Sequence, residues 1–426
     1  MEVKPGYKQT EVGVIPEEWE VNALGKGLAE RPRYGINAAA VPYSDTLPVY
    51  IRITDISEDG RFSPDKHVSV KSELSGGYYL SDGDLVFART GASVGKSYRY
   101  NPNDGPLVYA GFLIRIRPDT QKLLPDFVAA YVTTGNYWRW VRLMSMRSGQ
   151  PGINGNEYSQ LPIPCPPLPE QRAIATALSD VDGLLDGLDR LIAKKRDLKQ
   201  AAMQQLLTGQ TRLPGWDGAW EVKRLGELFN FSGGYSASRD QLSAEGHCYL
   251  HYGDIHGSTK TCIDADTDFQ DIPKLDIPLK RVSSGSLLDD GDVVFVDASE
   301  DDAGTSKHVV VVNKDKKPFI SGLHTIVAKS KTDELAHEYR RYCFQTPAIR
   351  QQFLFYSVGT KVSGISKSNI PKLTLSFPSV PEQTAIASVL SEMDTELAVL
   401  EQRREKTRAL KQAMMQELLT GKTRLV

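Results

Sequence analysis

The segment Thr90-Gly91-Ala92-Ser93-Val94-Gly95-Lys96-Ser97 comes closest of any stretch in this chain to a motif that handles phosphate. A P-loop needs a glycine separated by four residues from Gly-Lys-Ser/Thr. It also needs a helix afterwards, so that amides and dipole face the phosphate. Thr90 holds the glycine position, Gly91 is one residue too close, and Ser97-Tyr98-Arg99-Tyr100-Asn101-Pro102 reads as strand and turn. NTPase chemistry is not expected. Asn101-Pro102-Asn103 lacks the further proline and aromatic of an adenine-methyltransferase motif. His251, His256, His308, His324 and His337 are scattered, and Glu300-Asp301-Asp302 reads as a solvated loop. Cys165, Cys248, Cys262 and Cys343 form no CxxC pair, so they read as reduced structural thiols of a cytosolic protein rather than as metal ligands. No catalytic constellation and no metal site emerge.

What remains is recognition chemistry, carried by loops. The stretches ERPRYGINAAA, ARTGASVGKSYRY and MRSGQPGING lie in the first part of the chain. FSGGYSASRD, VDASEDDAGTSK and SVGTKVSGISKSN lie in the second. They are rich in Arg, Lys, Gly, Ser, Thr, Asn and Tyr. Arg suits bidentate contact to guanine, Asn and Gln suit adenine, and Ser, Thr and Lys suit phosphate.

The elements that must position these loops are repeated. Residues 169–213 recur without a gap at 381–425, with more than half of the positions identical. The chain is thus two tandem units, 1–168 followed by 169–213 and 214–380 followed by 381–426. Each copy opens on Pro-Glu-Gln (Pro169-Glu170-Gln171 and Pro381-Glu382-Gln383). Proline is welcome at a first helical position, and acid there suits the helix dipole. Each copy closes on Leu-Leu-Thr-Gly, at Leu206–Gly209 and Leu418–Gly421, the usual glycine stop. Apolar residues alternate at spacings of four and three: Ile174, Leu178, Val181, Leu185, Leu188 and Ile192, then Ile386, Leu390, Met393, Leu397 and Leu400. That is a coiled-coil seam. Beyond it the stripe shifts to Leu198, Ala202, Leu206 and to Leu410, Met414, Leu418. With a whole domain between them, two such helices in one chain pair most simply antiparallel, with pseudo-twofold symmetry. Arg404 stands where Ile192 sits in the first copy, so the two faces cannot pack identically.

Anchors also align between 1–168 and 214–380. Trp19-Glu20-Val21 matches Trp220-Glu221-Val222, Tyr50 to Ile56 matches Tyr249 to Ile255, Leu80 to Phe87 matches Leu288 to Phe295, and Gly111 matches Gly322. Short β-branched runs with Asp-Gly turns predict strands, and 125–143 and 333–355 predict helices. The expected class is α+β: two mixed α/β globules separated by two long antiparallel helices. Scaffold positions match while loops differ, which predicts two readers on one frame.

At 426 residues, with 40% hydrophobic and 24% charged residues, the chain supports two cored domains. No apolar run reaches membrane-span length. A net charge of −2 does not announce a nucleic-acid binder, so any DNA contact must come from local clusters of Lys and Arg. A coiled-coil adaptor with two globular partner-binding heads fits this composition equally well.

GYKQTEVGVIPEEWEV, DLVFARTGASVGK, SGQPGIN before PPLPEQ, the GLHTI block and the repeated helix together resemble the specificity subunit of type I restriction–modification enzymes, over nearly the whole chain. The resemblance implies that 1–168 and 214–380 are target-recognition domains, each reading half of a bipartite site in double-stranded DNA. It implies that the helices are a ruler for the spacer. It also implies docking to two methyltransferase subunits that use S-adenosylmethionine on adenine N6, and assembly with translocase/nuclease subunits that use ATP and Mg. This chain would itself be non-catalytic, free of cofactor and cytoplasmic. Loop position and side-chain chemistry nominate Arg31, Arg33, Tyr34, Arg52, Arg89, Thr90, Lys96 and Gln150 as DNA contacts in the first domain. Tyr235, Ser236, Arg239, His251, Tyr252, Lys307 and Lys361 are nominated in the second.

Overall fold

The computed structural model describes residues 4–146, 151–258, 260–299, 306–358 and 363–425. The chain divides into unit one, Met1–Asp189 with Gln402–Val426, and unit two, Arg190–Glu401.

In unit one an antiparallel sheet orders Arg33–Tyr34, Leu113–Ile116, Leu85–Ala88 and Ser97–Arg99. All four residues of Leu85–Ala88 are buried, as an inner strand of Val, Leu and Phe should be. A second sheet orders Leu107–Tyr109, Val49–Ile51, Val68–Val70 and Ala40–Pro42, with the first pair parallel. Unit two repeats the plan. Phe229–Gly233, Thr325–Ser330, Val293–Val296, His308–Val312 and Cys262–Asp264 form one sheet, and Leu242–Ser243, Lys274–Leu275, His247–Leu250 and Phe319–Ser321 the other. Ser97–Arg99 is a strand, in keeping with the rejection of a P-loop.

Each predicted domain helix is two helices: Pro125–Tyr131 and Gly135–Ser145, then His337–Cys343 and Pro347–Tyr356. The break has a local cause. Thr134 and Thr346 are extended N-caps whose hydroxyls accept from the Tyr137 and Ile349 amides, and Pro347 opens the last helix.

The repeated segments are helices of 39 residues each, Leu168–Leu206 and Val380–Leu418. At 1.5 Å per residue each is about 58 Å long. Gly209 and Gly421 follow the helix ends at φ +70° and +67°, the left-handed stop expected of glycine. The Pro-Glu-Gln openings do more than suit a dipole. In unit one Glu170 is fully buried, accepts from Trp19 Nε1 at 3.0 Å and pairs with Arg424. In unit two Glu382 is buried and takes both forks of Arg212. Gln171 and Gln383 each accept one backbone amide and donate to two carbonyls.

Every seam residue from Ile174 to Ile192 and from Ile386 to Leu400 is buried or half-buried. In unit one Asp182 pairs with Lys411 (2.6 Å) and Asp189 with Arg404 (3.3 Å). In unit two Lys195 pairs with Glu396 (2.7 Å) and Arg212 with Glu382. Arg404 thus meets an acid, whereas Ile192 is 2% exposed. The shifted stripe holds in part, with Leu206 and Leu418 buried and Ala202 and Met414 half-buried against the cores. Leu198 and Leu410 are exposed, and the buried positions are Met203, Leu206 and Leu207, with Leu418 and Leu419 in the second copy. Each unit's main core closes over its long-helix segments. Trp19, Phe87, Phe127 and Tyr137 meet Ile174, Leu178 and Leu418 in unit one. Phe229, Phe295 and Phe353 meet Leu206, Ile386 and Leu390 in unit two.

Candidate nucleic-acid interface

In unit one the inner strand Leu85–Ala88 ends at Arg89, and the neighbouring strand Leu113–Ile116 starts just after Phe112. The Arg89 amide donates to the Phe112 carbonyl at 3.0 Å, and the Ile153 amide donates to the Arg89 carbonyl at 2.9 Å. The backbone is therefore fixed on both sides of a side chain that is free to point outward. Its guanidinium lies 5.0 Å from the centre of the Tyr34 ring, and among the described residues it forms no ion pair. Tyr34 is held in turn by the Gly155 amide, which donates to its hydroxyl at 3.1 Å. Gly35, next along the chain, lets the backbone pass close to the turn before Phe112, because a Cβ there would lie 2.1 Å from the Ala110 carbonyl oxygen. Together Tyr34, Asn37, Arg52, Thr54, Arg89 and Phe112 edge a cleft of ≈ 610 Å³. Arg33, also exposed and without an ion pair among the described residues, stacks on Tyr78 at 5.0 Å. Arginine stacked on an aromatic ring is ordered before any ligand arrives, while its fork of donors stays available.

The remaining nominated residues of unit one are differently placed. Arg31 is exposed. Arg52 is bound by both carboxylate oxygens of buried Asp55, at 2.9 and 2.7 Å, so its role includes bracing the turn that carries Thr54. Lys96 pairs with Glu58 at 2.7 Å. Thr90 is half-buried, with its hydroxyl donating to the Pro151 carbonyl at 3.4 Å. Gln150 and Lys361 lie outside the described residues.

In unit two the Tyr235 amide donates to the Ser321 carbonyl at 2.7 Å, as the Ile36 amide does to the Tyr109 carbonyl, and a Cβ at Gly253, beside His251 and Tyr252, would lie 2.5 Å from the Arg239 guanidinium. Gly234 takes the role of Gly35, since a Cβ there would lie 1.7 Å from the Gly322 oxygen. His251 caps the helix Tyr252–His256, and its Nδ1 accepts from the Gly253 amide at 3.1 Å. Burial first, and the Arg239 guanidinium second, hold its pKa below the ordinary histidine range. The neutral ring that accepts at Nδ1 carries its proton on Nε2, which makes it a donor. The Tyr252 ring lies 4.5 Å from that of His251, tilted by 40°. Ser236 and Arg239 are exposed. Lys307 is occupied by the His256 carbonyl.

Three residues on these faces were not nominated from sequence: Phe112, 58% exposed, and the pair Asp297 and His324. The sequence anchor Gly111–Gly322 hid them. The Ala110 amide donates to the Ile51 carbonyl and the Gly322 amide to the equivalent Leu250 carbonyl, so Ala110 answers to Gly322. The turn residues therefore align one place later, Phe112 with His324.

The profile of the type I restriction modification DNA specificity domain matches twice, at residues 35–194 and 218–408. The chain is 25% identical to the provisionally named MjaX type I restriction enzyme specificity subunit of Methanocaldococcus jannaschii, over 98% of this chain and 97% of that one. It is 24% identical to the EcoKI specificity subunit of Escherichia coli K12, over 88% and 82%. The crystal structure of a type I restriction–modification S subunit from M. genitalium superposes with a TM-score of 0.57 at 12% identity, covering 98% of both chains. No helix among the described residues is long and apolar enough to cross a membrane. The double match covers most of the chain, and it falls on a fold that carries the same frame twice with different exposed side chains: this protein belongs to the type I restriction–modification DNA specificity family.

Proposed function

We propose that the two units read the two halves of a bipartite, asymmetric DNA site, and that the chain directs partner subunits to it without catalysing a reaction. One observation carries this reading: the units share a frame down to individual backbone hydrogen bonds, yet present different side chains at equivalent exposed positions. In this proposal the long helices pair antiparallel as a coiled coil with pseudo-twofold symmetry and set the spacer between half-sites. The ion-pair order supports it, since within each unit residue numbers rise along one helix as they fall along the other.

The partners would be two methyltransferase subunits that use S-adenosylmethionine on adenine N6, joined by translocase–nuclease subunits that use ATP and Mg, in the cytoplasm. Exposed Leu184, Leu191, Leu198, Val399 and Leu410 leave apolar surface on the helices for such partners. Those subunits would also supply phosphate-binding charge that a chain of net charge −2 does not carry in bulk. Family membership disfavours the adaptor alternative.

The test is the methylated motif of a host expressing this chain with its methyltransferase subunit. Exchanging residues 1–150 for those of a relative should change one half-site only. Lengthening both helices by one turn should change the spacer only. A change in both halves after the exchange, or an unchanged spacer after the insertion, refutes the corresponding assignment.

A further inference from the structure

We propose that Asp297 and His324 are the specificity-determining pair of unit two, and that they select a base presenting an exocyclic amino group at the position where unit one uses a donor. The inference rests on the DNA-reading function proposed above.

Strand register establishes the equivalence. Leu113 faces Ala88 across one ladder, and Thr325 faces Val296 across the other. Arg89 and Asp297 therefore leave the same end of the same inner strand, and Phe112 and His324 sit on the same adjoining turn. The hydrogen bonds repeat as well. The Asp297 amide donates to the His324 carbonyl at 3.2 Å and the Ile365 amide to the Asp297 carbonyl at 2.8 Å, as Arg89, Phe112 and Ile153 do in unit one. The frame is conserved between the units, while the side chain it presents changes from a cation to an acid.

An acid is an unusual choice for a face that approaches phosphates. Among the described residues the partner of the Asp297 carboxylate is His324 Nδ1, at 3.2 Å, and the two side chains remain 32% and 50% exposed. His324 holds φ +58°, a left-handed conformation that non-glycine residues rarely adopt, and the edge of its ring meets Tyr252 at 5.4 Å. Strain retained at an exposed turn next to a half-solvated carboxylate is expected of a functional position rather than of packing.

The hydrogen-bond sense follows. When Nδ1–H of the neutral ring donates to the carboxylate, Nε2 turns a lone pair outward. The outward groups are then acceptors: Nε2 and the second carboxylate oxygen. Base edges that answer acceptors are cytosine N4 and adenine N6, whereas the donor fork of Arg89 answers guanine O6 and N7.

The experiment uses the chain in complex with its methyltransferase subunits. The wild-type methylated motif comes first. If it is not bipartite, the functional reading itself fails, and this is seen before the pair is tested. Within the half-site assigned to unit two, each adenine or cytosine other than the methylated base is then replaced by an analogue lacking the exocyclic amino group. One replacement should weaken binding by about tenfold, the scale of a base-specific hydrogen-bonded contact. Asp297→Asn should reduce that penalty to under about threefold at the same base and leave the other half-site intact, because an amide donor replaces one acceptor oxygen. Asp297→Arg with His324→Phe should move the motif toward guanine there. If no analogue matters to wild type, or Asp297→Asn keeps full discrimination at every base, the inference is overturned. The analogue series on wild-type protein decides the matter even if the double variant fails to fold.

Discussion

Arg89→Ala should cost specificity and almost no stability, and the two magnitudes can be set against each other. In the folded chain the guanidinium stacks on Tyr34 at 5.0 Å and makes no ion pair among the described residues. A cation–π contact at a partly exposed site contributes about 0.5–1 kcal/mol. The backbone hydrogen bonds of Arg89 to Phe112 and Ile153 do not depend on the side chain. A bidentate contact to one guanine discriminates by about 1–3 kcal/mol, or about 5- to 160-fold between cognate and substituted base pairs. The assay is methylation rate by the assembled methyltransferase on duplexes that differ by one base pair in the half-site of unit one. Arg89→Ala should flatten the preference at one position, and thermal unfolding should barely move. Arg89→Lys keeps the charge but not the fork, so it should flatten the same position while retaining more affinity. Equal loss on every duplex would make Arg89 a phosphate contact. Unchanged discrimination, or a large fall in unfolding temperature, would make it a brace.

A second expectation concerns pH. His308 is buried between the Ser306 and Arg340 carbonyls, each 3.2 Å from a ring nitrogen, and burial is the leading cause that pushes its pKa below 6.5. The unfolded chain binds a proton near pH 6.5 that folded unit two refuses, so unfolding is favoured as pH falls below that value. This site is fully compatible with folding above that pH and works against it below. His308→Gln should flatten the acid limb of unfolding temperature against pH below about pH 6.5, and an identical limb in the variant rules the site out.

Much of the architecture was legible because it repeats. The seam from Ile174 to Ile192 announced a helix by spacing alone, and Gly209 and Gly421 marked its ends. The inner strands were legible as runs of Val, Leu and Phe beside Asp-Gly turns. Sequence did not disclose what tertiary partners do to a side chain. Lys96 is taken up by Glu58 and Lys307 by the His256 carbonyl, neither of which adjoins its partner in sequence. The buried pairing of Glu170 with Arg424 was equally invisible, because it joins positions far apart in the chain. Asp297 escaped because acids are not obvious DNA contacts. His324 escaped because aligning Gly111 with Gly322 shifted the turn by one residue. Backbone hydrogen bonds resolved that register where residue identity could not.

The division of the long helices has a consequence for the order of folding. Unit two is one uninterrupted stretch, Arg190–Glu401, whereas unit one joins Met1–Asp189 to Gln402–Val426. Leu418 and Leu419 belong to the same core as Trp19 and Ile174. The core of unit one is therefore completed by residues that are synthesised after the whole of unit two. Contacts of such long sequence separation form slowly, because the loop between them must be ordered before they contribute. The domain begun first is finished last, which leaves it the part of the nascent chain most open to misassembly.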